Sequence, residues 1–112
     1  MKHLFVMLLA LSAVSAGQGK QTFSGVITDD MCAMPGHASM RMGPTDAECT
    51  NACVISHGAA YVLEAGKDVY TLSDQKAPAE FAAQKVRVVG TLDARTRTIR
   101  VASISAATDA TR

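Results

Sequence analysis

Three cysteines and a histidine fall within 22 residues as Cys32-x4-His37-x11-Cys49-x3-Cys53. Thiolate and imidazole together make the Cys3His set of closed tetrahedral zinc sites, which are structural because no coordination position stays open for substrate. Cys49 and Cys53 are four apart, so on a helix they share one face, one turn apart. Cys32 and His37 would come from the preceding loop, where Gly36 gives the backbone freedom to wrap and Pro35 restricts it. His57, one turn beyond Cys53, is a reserve ligand.

The same thiols support other chemistry. A disulfide from Cys32 to Cys49 or Cys53 would tie the loop to the helix, is worth roughly 2 to 4 kcal/mol, and leaves one thiol over. A direct Cys49 to Cys53 bond is poorly directed on a regular helix. Thiol-redox chemistry at Cys49 and Cys53 is the third alternative. Its x3 spacing departs from the two-residue separation of thioredoxin-like motifs, and no βαβ pattern surrounds it. The cofactor is zinc or copper(I), or none if a disulfide forms.

Copper enters because Met31, Met34, Met40 and Met42 crowd around Cys32 and His37. Thioether, thiolate and imidazole are soft donors that favour copper(I), which makes Met40 and Met42 further reserve ligands. The plainer role for these methionines is to fill irregular loop packing. Asp29 and Asp30 are read as solvated or turn-forming, with support of His37 as the alternative. No nucleophile, base and oxyanion-hole constellation is visible, so the chain reads as non-catalytic, with thiol-redox activity the one enzymatic reading retained.

The elements that must position these groups follow from local patterns. Thr22 to Thr28 is β-rich, and Gly25 within it signals a bend or a close approach. Thr45-Asp46-Ala47-Glu48 has the spacing of a capping box and Gly58 fits a stop, which predicts a helix from Asp46 to His57. Tyr61 to Glu64 and Val69 to Leu72 flank a Gly-containing turn and predict a hairpin. Pro78 starts a turn or two of helix with Phe81 as its core anchor. Lys85 to Val88 and Thr98 to Val101 alternate as strands, and Val88-Val89-Gly90 predicts a bulge. The fold class is mainly β: a small five-stranded OB-like barrel with a loop-plus-helix insertion between strands one and two, and a short helix between strands three and four.

Residues 1–16 read as a secretory signal peptide. Lys2 and His3 precede an apolar run from Leu4 to Ala13, too short to span a bilayer, and Val14-Ser15-Ala16 suits a cut before Gly17. Removing 16 of the 112 residues leaves 96, enough for one domain, read as 17–105 with the Cys/His insertion at 29–58 and a frayed tail at 106–112. Without Lys2, 10 basic side chains balance 10 acidic ones. That balance gives no field for nucleic acid, and no stable membrane insertion is expected after cleavage. The compartment is periplasmic or extracellular, where an idle trio of thiols is improbable. The partner is a metal ion or an unknown protein.

Gly25-Val26-Ile27-Thr28-Asp29-Asp30-Met31-Cys32 with His37, Glu48-Cys49-x3-Cys53 and Gly58-Ala59-Ala60-Tyr61-Val62-Leu63 resemble a group of small exported bacterial proteins without an assigned activity. Val86-x-Val88-x-Gly90-Thr91-Leu92 and Ile99-x-Val101 resemble that group's last hairpin, so the likeness spans most of the mature chain. The resemblance implies an exported OB-like barrel in which Cys32, His37, Cys49 and Cys53 belong to a shared pattern. The methionines lie outside that pattern.

Overall fold

A computed structural model describes residues 19–33, 36 and 41–107. The leader at 1–16, His37, Met34, Met40 and the last five residues lie outside the described residues. Five strands and one α-helix run in the order β1 (Gln21–Asp29), α1 (Asp46–His57), β2 (Tyr61–Ala65), β3 (Asp68–Leu72), a 3-10 helix (Ala77–Phe81), β4 (Lys85–Asp93) and β5 (Thr98–Ala106).

The strands form one mixed sheet whose hydrogen bonding runs in a ring, β1-β2-β3-β5-β4 and back to β1. The ring closes because β1 serves two partners. Its first part pairs with β4, from Gln21 opposite Gly90 to Val26 opposite Lys85, and its last part pairs with β2, from Val26 opposite Glu64 to Asp29 opposite Tyr61. All pairings are antiparallel except β3 with β5, which meet in parallel at Thr71 and Leu72.

Gly25 lies just before the change of partner, and the reason for glycine is space. A Cβ there would stand 2.5 Å from the Glu64 carbonyl oxygen. Gly90 meets the same constraint on β4, where the register with β5 shifts between Val89 and Gly90. A Cβ at Gly90 would lie 2.3 Å from the Arg100 carbonyl oxygen and 2.8 Å from the Ile99 side chain. The bulge expected from Val88-Val89-Gly90 is therefore present, and it lets two backbones approach closely. Gly90→Ala should force the strands apart at a cost of about 2 to 3 kcal/mol, read as a lower urea midpoint. An unchanged midpoint would mean that β5 yields freely there.

Ile27, Tyr61, Leu63, Leu72, Val86, Val88 and Ile99 form the main core. The alternation of Lys85 to Val88 is realised as buried Val86 and Val88. The 3-10 helix carries Pro at its start, and Pro78 is buried while Phe81 packs half-buried against the core. β5 continues to Ala106, opposite Val86, five residues beyond the Thr98 to Val101 alternation read from the sequence. Apart from Ile104, residues 102–106 are alanines and serines with little strand preference of their own, so pairing with β4 supplies the order.

The helix has the expected bounds, with Thr45 as N-cap accepting from the Glu48 N–H and Gly58 as a left-handed C-cap. It packs against β1. Side chains fix its seat: the Tyr61 hydroxyl donates to the Asn51 side-chain oxygen, and the Asn51 amide reaches the Ala79 carbonyl. Val54 touches both the main core and the cysteine cluster, joining the two.

Candidate metal centre

Cys32, Cys49 and Cys53 come together between the end of β1 and the buried face of α1, with their sulfur atoms all within 4.8 Å of one another. Three buried thiols at that spacing are close enough to bind one metal ion. No disulfide joins them. Helical spacing places Cys49 and Cys53 side by side, both fully buried. The turn after β1 brings in Cys32, and Asp29 builds that turn.

The Asp29 carboxylate accepts the N–H groups of Met31 at 3.1 Å and Cys32 at 3.2 Å through one oxygen, while the Asp29 carbonyl accepts the Cys32 N–H. The Gly36 N–H then bonds the Cys32 carbonyl at 2.8 Å. Asp30 anchors the same turn to β2, exchanging bonds with Ala60: its N–H donates to the Ala60 carbonyl and its carboxylate accepts the Ala60 N–H.

The Met42 N–H donates to the Cys49 sulfur at 3.2 Å, and Met31 and Met42 pack against the cluster. Burial pushes the Cys32 thiol up to about 12, helped by the Asp29 carboxylate and then by Cys53 and Cys49. Cys53 is raised by the same two leading causes, burial and then Asp29. Tyr61 is raised as well, by burial and then Asp29.

Asp29 is thus the residue the sequence reading undervalued. It is fully buried, and its second carboxylate oxygen has no hydrogen-bond partner among the described residues. A usable signal existed in strand alternation: Ile27 faces the core, so Asp29, two residues on, faces the same way. Asp30 does form a turn as expected. The Thr50 hydroxyl, next to Cys49 on α1, is likewise buried without a partner among the described residues.

His37 and Met40 lie outside the described residues. His57 is exposed in the last helical turn and stands outside the group of three sulfurs. Comparison with known proteins gives no matching family model, no matching curated protein and no matching solved structure.

Proposed function

We propose that this chain is a small exported, non-catalytic binding domain that holds one soft transition-metal ion through Cys32, Cys49 and Cys53. The observation that carries this reading is the set of three buried sulfurs within 4.8 Å of one another, with no disulfide among them. Zinc(II) would take His37 as a fourth ligand, completing a closed Cys3His site. Copper(I) is the alternative ion, supported by the thioether residues Met31 and Met42 packed on the cluster.

The strand order β1-β2-β3-β5-β4, with β1 paired at both ends of the ring, supports an OB-like barrel. The signal-peptide pattern of residues 1–16 supports export to the periplasm or the extracellular space. A reactive redox thiol is disfavoured, because such thiols need a depressed pKa and partial exposure, whereas Cys32 and Cys53 are buried and raised.

Native mass spectrometry of protein purified from the exporting compartment tests the proposal. One metal ion per chain is expected, retained after partial exchange and lost in Cys53→Ser. Metal-free protein carrying an intact disulfide would overturn it in favour of a disulfide-stapled interaction module.

A further inference from the structure

A buried thiol triad raises the question of how an ion reaches it. Cys49 and Cys53 have no exposed surface, and Cys32 is 2% exposed. Cys32 lines a pocket open to solvent, a cleft of about 340 Å³ bordered also by Val26, Thr28, Asp46, Glu64 and Ala83. The pocket joins the cluster at the turn that follows β1.

Among the described residues, the charged side chains in its lining are Asp46 and Glu64. Asp46 is shared with Arg41 at 2.9 Å, which leaves Glu64 as the carboxylate without an ion pair among the described residues. Beneath the turn lies the buried Asp29 carboxylate, with one oxygen unpartnered among the described residues. A carboxylate at the opening and another behind the ligand set a potential that draws cations inward and repels anions.

Resting on the metal-binding reading above, we infer that this pocket is the passage by which a free or weakly chelated metal cation enters the triad, with Cys32 its outermost ligand. The ion meets the Cys32 side first and passes on to Cys53 and Cys49. Each thiol gives its proton to solvent as its sulfur bonds the ion. Release runs in reverse. An anionic species such as a metal-thiolate complex or an oxyanion is a poor entrant by the same field.

Stopped-flow loading of the reduced full chain with cadmium(II), followed by thiolate-to-metal charge-transfer absorption, tests this route. The doubly substituted protein Asp46→Asn with Glu64→Gln should load about threefold more slowly or worse at low salt, with the difference closing at high salt. Its stoichiometry and equilibrium affinity should match the parent, and Asp93→Asn, on the distant β4–β5 turn, should load at the parent rate. Limited alkylation of the metal-free protein should label Cys32 before Cys49 or Cys53.

Parent-like loading of the double variant at low salt would overturn the inference and leave the metal site standing. So would first labelling at Cys49 or Cys53. A parent chain that takes up no cadmium(II) would remove both the passage and the proposed function.

Discussion

Affinity of the triad for zinc(II) is expected to rise by at least about a hundredfold per pH unit between roughly pH 6 and pH 8. Metal binds thiolate, so a ligand held as the thiol must first lose its proton. Cys32, pushed up to about 12 by burial and by Asp29, is protonated throughout this range, and Cys53 is raised by the same causes. Each displaced proton multiplies the apparent binding constant tenfold per pH unit, and these two thiols account for two of them. Competition against a chelator whose own pH dependence is known gives the slope, and proton release on loading gives an independent count. A slope near zero would mean that the metal binds elsewhere or that the sulfurs are already thiolates.

That pH dependence also bears on where such a site is useful. A preformed thiolate cluster would hold its ion tightly at any pH, as a permanent staple does. A cluster held as thiols binds in competition with protons, so its occupancy follows both metal supply and acidity. The Cys49 sulfur accepts the Met42 N–H at 3.2 Å, which fixes its place beside the other two sulfurs.

Local chemistry made much of this molecule legible. Thr45 and Glu48 at one end and Gly58 at the other set the helix limits, because capping acts through residues adjacent in the chain. The Cys49 and Cys53 pair then followed from helical pitch. Glycines at 25 and 90 announced close backbone contact, although the carbonyls they approach, from Glu64 and Arg100, are far away in sequence. The extension of β5 to Ala106 had no such local sign. Ala102-Ser103-Ile104-Ser105-Ala106 becomes a strand because β4 offers it a ladder, and that ladder exists only once the ring has closed. The burial of Asp29 was obscured for a related reason. Charge at a strand end ordinarily faces water, but this one is buried in a strand against which α1 packs, and the carboxylate is retained by the turn that carries Cys32.

Metal-free protein is expected to lose stability as pH rises from about 9 to about 12, by on the order of a few kcal/mol. The native Cys32 thiol keeps its proton to about 12, against an ordinary value of 9.0 in the unfolded chain. Between those values the native state binds more protons than the unfolded state, so stability falls with rising pH. The contribution is whole below the unfolded value and gone above the native one. Cys53 and Tyr61 are raised too and act with the same sign, Tyr61 from its own ordinary value of 10.0 upward. Asp29→Asn separates the causes. The amide oxygen can still accept from Met31 and Cys32, so the turn survives, while the negative charge that helps raise all three groups is removed. The variant should therefore show a shallower alkaline decline in urea midpoint than the parent. Zinc-loaded parent should show almost none below about pH 10, where Tyr61 begins to act, because its sulfurs have no proton left to lose. A parent midpoint that stays level across the window would contradict the buried-thiol assignment. Equal slopes in parent and Asp29→Asn would leave burial alone as the cause and remove Asp29 from the electrostatics of the site.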